Sequence, residues 1–394
     1  MAGRRRSCNA SARCFPPMTV MPRMQRGIEF PGLALPKQHD GREKLTIRVD
    51  GTDLERFTAE VFEGAGMSRE DAATEARVLV WANMRGVDSH GVARLDSYLA
   101  AADGGRMKVK PNICVIGERA AAIYIEADHA FGPVVTDFAV GLVADKAKQA
   151  GVGWALIRNT THQGAMGYYT EQLALRGLAG IAVVTNPPNM AHPGTRAAGV
   201  HNSPISFAVP GPEDRGPLVL DMATSIAAFG KVMVASDKGE SIPDTWALDE
   251  HGNPTTDPAA ARTLRPAGEY KGYGLALLFE CFTGLMAANP LVSPNILDNK
   301  TGTAQPGAQN SFLCAVDVSM FGDLVDYRQE VEDLIRAEKS LPRQDGVDEV
   351  FVPGDPELKT LEERTREGVP MPPGTWAKIE VAAQRFGLEL PRKV

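Results

Sequence analysis

The hydrophobic pattern changes register several times along the chain, and each change marks an element. Near Leu45 the run LTIRVD alternates apolar and polar positions over six residues, which predicts a short strand. Thr52-Asp53-Leu54-Glu55 then opens a helix, because a threonine hydroxyl and a glutamate three residues on can satisfy free backbone N–H groups reciprocally. Gly64 and Gly66 close it, and Ser68-Arg69-Glu70-Asp71 repeats the device. Ala73, Ala76, Val80 and Trp81 fall along one side of the second helix, which ends near Gly86. From Ala121 onward AAIYIEA, VVTDFAVGLVADKAKQA, GWALIRN, YYTEQLALRGL, GIAVVTN, ISFAVPG and LVLDMA alternate short β-branched runs with amphipathic stretches, the signature of an α/β domain. KGYGLALLFECFTGLMAA reads as a buried helix, DLVDYRQEVEDLIRAE as a polar one, and a last helix runs from about Thr375 to Phe386.

Residues 1–44 are expected to be a disordered leader: the first 28 residues hold six arginines and no acidic residue, without the apolar core of a secretory signal. The rest divides into a discontinuous, mainly helical domain, residues 45–118 and 270–394, and an α/β domain, residues 119–269. At 394 residues with 43% hydrophobic content, there is ample material for buried cores. The net charge of -7 offers no general attraction for nucleic acid or an anionic membrane, and a small molecule is the better-matched partner. The longest apolar stretch, Leu275 to Ala288, carries Glu280 and is too short to span a bilayer. Five scattered cysteines form neither a disulfide framework nor a metal knuckle, which fits a reducing, cytoplasmic setting.

Four segments could carry chemistry. Arg85-Gly86-Val87-Asp88-Ser89-His90-Gly91-Val92-Ala93-Arg94 follows a helix end and joins a hydroxyl, an imidazole that titrates near neutrality and a guanidinium whose fork matches a carboxylate. The bland reading makes Ser89 a cap, His90 a local hydrogen-bonder and Arg94 a solvated residue. Thr161-His162-Gln163-Gly164-Ala165-Met166-Gly167 lies past the C-terminal end of an apolar strand, where α/β proteins tend to place ligands, so His162 is a candidate acid/base. Leu220-Asp221-Met222-Ala223-Thr224-Ser225 could hold a ribose or phosphate, and Tyr270-Lys271-Gly272-Tyr273-Gly274 opens a helix where an anion could bind. The G-x-G pairs Gly64/Gly66, Gly151/Gly153 and Gly272/Gly274 lack the third glycine, having Arg69, Leu156 and Leu277, so no Rossmann fingerprint is present. P-loop, H-E-x-x-H and G-x-S-x-G motifs are missing too, and spacing alone leaves the reaction open.

Taken together and in order, RGVDSHGVARLDSY, the H-x-G-A-x-x-Y-Y loop, LDMATS, SIPDTWALDEHGNPTTDP and KGYGLAL resemble the malate/L-lactate dehydrogenase-like oxidoreductases, from about Leu45 to the C-terminus. The resemblance implies an α/β (α+β) protein with a non-Rossmann nicotinamide-binding domain on a mixed sheet, a mainly helical second domain and a homodimeric state. It implies hydride transfer between NAD or NADP and a small 2-hydroxy or 2-imino carboxylic acid. By similarity Ser89, His90 and Arg94 line the substrate site with Asn186. Either His162 or His90 is the acid/base, with His162 ranked first. Cofactor contacts are implied at Asp221, Met222, Ala223 and Thr224, at Lys271, and at Glu367, Gly368 and Val369. No metal is implied. The competing readings are a metal-dependent hydrolase or lyase built on His90 and His162, and a nucleotide-binding module without turnover.

Overall fold

A computed structural model describes residues 47–297 and 307–394. The leader expected over residues 1–44 lies outside them. Among the described residues no helix is long and apolar enough to cross a membrane.

The chain enters through β1 (Ile47–Val49) and a helical hairpin, α1 (Gly51–Gly64) and α2 (Arg69–Met84). Ser68 caps α2 as its sequence predicts, accepting the Asp71 N–H at 3.1 Å. At α1 the cap is Asp50, which accepts the Asp53 N–H at 2.9 Å and leaves Thr52 inside the helix. An aspartate just ahead of the threonine captures the same free N–H groups earlier. Two 3-10 turns follow, Asp88–His90 and Val92–Arg94, and then α3 (Leu95–Asp103).

The middle of the chain builds β2 (Cys114–Glu118), β3 (Ala122–Glu126), α4 (Gly132–Ala150), β4 (Val152–Thr160), α5 (Gly167–Leu175) and β5 (Leu178–Thr185). It goes on through β6 (Met190–Ala191), β7 (Ala198–Val200), β8 (Ile205–Val209), β9 (Leu218–Met222), α6 (Phe229–Lys238), β10 (Ala247–Leu248) and β11 (Thr263–Leu264). The last part contributes α7 (Tyr270–Glu280), α8 (Ser293–Ile296), β12 (Gln309–Asp317), α9 (Leu324–Lys339), α10 (Asp355–Glu367), β13 (Val369–Met371) and α11 (Pro373–Phe386).

The main sheet has seven strands in the order β2-β3-β4-β12-β5-β8-β9, and only the β3/β4 pair is parallel, joined by the crossover α4. This is the mixed sheet expected. Its central strand, however, is β12, from the 270–394 stretch read by sequence as helical; β12 pairs antiparallel with both β4 and β5. Along β12, Leu313 and Ala315 face the core shared with α4 and α5, while Phe312 and Cys314 face a second cluster with Phe279 of α7. Burial on both faces removes the polar alternation that marks a strand in sequence. A separate helical core joins Leu54, Phe57, Leu79, Tyr98, Trp376 and Ile379. The β1–β13 ladder ties the two chain ends together there.

α7 departs from its expected burial. Leu275, Leu278, Phe282, Leu285 and Met286 are 43–55% exposed, so the apolar residues on this side of the helix and of the π-helical turn Cys281–Leu285 face outward.

Candidate active site

The turn after α2 is held from three directions. Asn83 donates to Asp88 Oδ1 at 2.7 Å and accepts the Val92 N–H at 2.8 Å. Arg364 of α10 reaches across and grips both oxygens of Asp88, at 2.6 and 2.9 Å, while also donating to the Asn83 carbonyl. Gly91 passes so close to Asn83 that a Cβ would sit 2.2 Å from its Oδ1. Glycine is therefore required for the two 3-10 turns to nest against α2. The result turns Ser89, His90 and Arg94 toward one cavity. Arg94 donates through Nε to the Ser89 carbonyl at 2.7 Å, and among the described residues no carboxylate lies within ion-pair reach of its guanidinium. Ser89 Oγ is 3.0 Å from His90 Nδ1.

His162 arrives from the loop after β4. At its back is Gly132, where a Cβ would come within 2.3 Å of the His162 carbonyl, so the start of α4 can pack directly beneath the loop. Tyr98 Oη lies 2.5 Å from His162 Nδ1, and the Gly164 N–H points at the same nitrogen from 3.3 Å. A backbone N–H can only donate, so Nδ1 accepts and the ring proton of neutral His162 is assigned to Nε2. The rings of His90 and His162 stack at 5.3 Å with 25° between their planes.

Burial depresses all three imidazoles of this region. His162 lies well below the ordinary histidine range through burial, with the charges of His90, Arg94 and His201 acting in the same direction. His90 is pushed down to about 4 by burial and then by Arg94, and His201 to about 3 by burial. Burial drives the Tyr98 hydroxyl well above its usual value, which keeps it protonated. Near neutral pH the pocket thus holds neutral imidazoles beside one unpaired guanidinium.

The cavity has a volume of about 550 Å³, within the range of small-molecule sites. Asn186, Asn189 and His201 line it beside the histidines, and Asp221, Met222 and Ala223 form a further wall. Asp221 is open to the cavity yet enclosed by protein on its other sides. Burial raises its carboxyl, the Gly167 N–H at 2.6 Å pulls it down, Glu357 raises it again, and the balance is about 6. By accepting that N–H, Asp221 also caps α5, the helix that follows the His162 loop. Another wall is a locked triad: Glu171 accepts from Arg85 at 2.6 Å and from Trp81 at 2.7 Å, while the Arg85 guanidinium stacks 4.3 Å over the Trp81 ring.

Of the residues singled out in the sequence, Ser89, His90, Arg94, His162, Asn186, Asp221, Met222 and Ala223 all line this cavity. Thr224 is buried just behind it. Lys271 is exposed at the start of α7 and is not in the wall. Glu367, Gly368 and Val369 are also elsewhere: Glu367 pairs with Arg48 and Arg366, the Gly368 carbonyl accepts from Arg48, and Val369 is buried in the helical core. The part of that segment that reaches the cavity is the opposite end of α10, at Gly354, Glu357 and Leu358. Fourteen residues of nearly continuous helix separate the two ends, roughly 20 Å at the helical rise. Sequence reading did not single out Tyr98, although its place four residues after Arg94 puts it on the same helical face. Among the described residues no group of three or more His, Cys, Asp or Glu side chains could hold a metal ion.

A family model described as malate/L-lactate dehydrogenase matches residues 49–380. The malate/(S)-sulfolactate dehydrogenase of Methanothermus fervidus is 30% identical over 335 residues, covering 84% of this chain and 95% of that protein. The ureidoglycolate dehydrogenase (NAD(+)) of Escherichia coli O157:H7 is 33% identical over 299 residues, covering 75% of this chain and 84% of the relative. Among solved structures, malate dehydrogenase from Pyrococcus horikoshii superposes with a TM-score of 0.79 at 28% identity, covering 90% of this chain and 99% of that one.

Proposed function

The chain belongs to the malate/L-lactate dehydrogenase family, and from that premise we propose that its cavity carries out reversible hydride transfer between a nicotinamide cofactor and C2 of a small 2-hydroxy or 2-imino carboxylic acid. The observation that carries the reading is the unpaired guanidinium of Arg94 beside two neutral, stacked imidazoles. A guanidinium without a protein carboxylate is a ready partner for the substrate's own, in a bidentate grip that fixes C2 relative to the imidazoles.

His162 is the acid/base. Its Nδ1 is occupied by Tyr98 and Gly164, which leaves Nε2 to exchange a proton with the reacting oxygen. His90, steadied by Ser89, packs on its face and withholds a second positive charge from the pocket. Asn186 and Asn189 supply neutral hydrogen-bonding groups on the substrate side.

The cofactor, when bound, is the acceptor or donor of the hydride. The residues present suit it. Gly354, at φ 86°, heads α10 at the cavity wall, where the lack of a side chain lets a bound cofactor approach the backbone closely. Asp221 to Ala223 and Phe229 to Lys231 provide the remaining wall. Among the two forms we favour NAD: one relative carries NAD(+) in its name, and Asp221 and Glu357 would repel a 2′-phosphate. Both sequence stretches contribute to each side: Ser89, His90 and Arg94 from 45–118 meet His162 and Asn186 from 119–269 around the substrate, while Asp221 to Ala223 from 119–269 and Gly354 from 270–394, the stretch that also supplies the central strand β12, face the cofactor.

The outward apolar face of α7 supports a homodimer, since Leu275, Leu278, Phe282 and Leu285 form an apolar surface next to one another on one helical segment. Cys114, Cys281 and Cys314 form no disulfide among the described residues, which fits a cytoplasmic setting. A metal-dependent hydrolase or lyase draws no support from the relatives, which are named as dehydrogenases. The test follows NADH and NADPH consumption against a panel of 2-oxo acids, cyclic imino acids and ureidoglycolate-type substrates. Turnover with at least one 2-oxo or 2-imino acid is expected, and its absence across the panel overturns the reading.

A further inference from the structure

Glu75 is not among the residues that line the cavity. It sits on the inner side of α2, fully buried, and neither of its carboxyl oxygens has a hydrogen-bond partner among the described residues. Such an orphaned group is rare in folded proteins and asks for a reason.

Its helix neighbours fix where it lies. Val78, one turn along the same face, touches the His162 loop, since a Cβ on Gly164 would be 3.1 Å from Val78 Cγ1. Leu79, four residues on, belongs to the core cluster that holds Tyr98, whereas Val78 belongs to the one that holds Tyr169. Glu75 therefore occupies the seam between the two cores. Both tyrosine hydroxyls serve the loop: Tyr98 on His162 Nδ1, and Tyr169 on the Gln163 carbonyl at 2.5 Å. The titratable groups that feel Glu75 are these two, Tyr98 from α3 and Tyr169 from α5. No charged group from the other elements packed on α2 acts on it, and burial alone drives its carboxyl well above the usual range.

Reduction of a 2-oxo acid needs a proton at the carbonyl oxygen. His162 can give the one on Nε2, but its surroundings keep it from carrying a second proton, so Nδ1 must be refilled as Nε2 is emptied. We propose that Glu75 is the proton store for the reductive direction, acting on the site through Tyr98 and His162. The Nε2–H bond breaks as the product O–H forms. The Tyr98 proton moves to Nδ1, and, because neither Glu75 oxygen is hydrogen-bonded to the hydroxyl, the carboxyl proton of Glu75 replaces it on Tyr98 across one bridging water, leaving a carboxylate. After the product leaves, a solvent proton entering the cavity reloads Nε2, the Nδ1 proton returns to Tyr98 and the Tyr98 proton to Glu75, which closes the cycle, and oxidation runs the line backward. The hydride comes from the reduced nicotinamide, so the inference rests on the dehydrogenase reading. Glu75 touches no reactant and is a positioning residue.

The experiment compares wild type with Glu75→Gln, Glu75→Leu and Glu75→Asp. In Glu75→Gln, kcat for reduction is expected to fall at least about tenfold with KM for the 2-oxo acid unchanged. Glu75→Asp should recover part of the rate. Glu75→Leu should be as heat-stable as wild type or more so, because it removes an unpartnered buried acid. Independently of turnover, the ¹⁵N signal of His162 should respond to an alkaline titration in wild type and not in Glu75→Gln. Identical rates and identical His162 titrations would overturn the proposal. So would a joint fall of kcat, affinity and thermal midpoint that Glu75→Asp does not rescue, since that is the mark of a purely structural residue. If wild type turns over nothing, the dehydrogenase reading fails, and the His162 titration still decides whether the line exists.

Discussion

Arg364 holds Asp88 with both terminal nitrogens, at 2.6 and 2.9 Å, so a helix near the C-terminus sets the turn that carries Ser89 and His90. The two residues are 276 positions apart in sequence. Arg364 is largely shielded, whereas Asp88 is partly open to solvent. Replacing Arg364 by Leu leaves Asp88 and the Asn83 carbonyl short of a charged donor. A loss of about 2–3 kcal/mol in unfolding free energy is expected, with a higher KM for substrate, as read by urea denaturation and steady-state kinetics.

The two histidines should separate kinetically. His162→Asn is expected to lower kcat on the order of 10²- to 10⁴-fold while cofactor binding persists. His90→Asn should act mainly on the shape of the pocket, with a smaller loss of kcat and a larger rise in KM. The reverse order would transfer the acid/base role to His90.

Arg94→Met removes the only wall cation proposed to meet the substrate carboxylate. Substrate KM should rise on the order of 100-fold, consistent with loss of a bidentate charge-assisted pair, while cofactor affinity measured by fluorescence titration stays near wild type. Arg94→Lys should recover little, because an ammonium does not reproduce the fork.

Acid stability offers a check on burial. His201 holds its proton less tightly when folded, at about 3, than in an unfolded chain at about 6.5. Between those values the unfolded state binds more protons. The stability that rests on neutral His201 is thus fully present above about pH 6.5 and is lost as pH falls toward 3. His90, depressed to about 4, acts in the same direction, whereas Asp221, raised to about 6, gains stability on acidification over its own window from 3.8 to about 6. The clean readout is a difference: relative to wild type, His201→Leu should gain stability steadily between pH 6.5 and pH 4 in urea melts. A constant gap over that range would contradict a buried, neutral His201.

Much of this was legible in the chain because it depends on local chemistry. The cap at Ser68, the strand-like runs from Ala122 to Met222, and the tight hydroxyl-imidazole-guanidinium turn at Ser89 to Arg94 all follow from short-range pattern. What was not legible depends on long-range packing. β12 lies between two strands and two buried faces, so its sequence carries no alternation. The contribution of α10 comes from its first turn at Gly354, although the segment quoted from the sequence was its far end at Glu367 to Val369. Tyr98 gains its importance only when α3 is laid against the His162 loop. Lys271 stands at a helix start that packs on Thr224, behind the wall, and its exposed side chain is not among those lining the cavity.

Everything proposed for the site requires a hydrogen nucleus to pass directly from the nicotinamide ring to the substrate held by Arg94. The most direct measurement supplies cofactor deuterated at the transferable C4 position, together with a turned-over 2-oxo acid, and locates the label in the product by NMR. Deuterium at C2 of a single enantiomer of the 2-hydroxy acid is the expected result. A product without deuterium at C2 from either C4 face would contradict hydride transfer in this cavity.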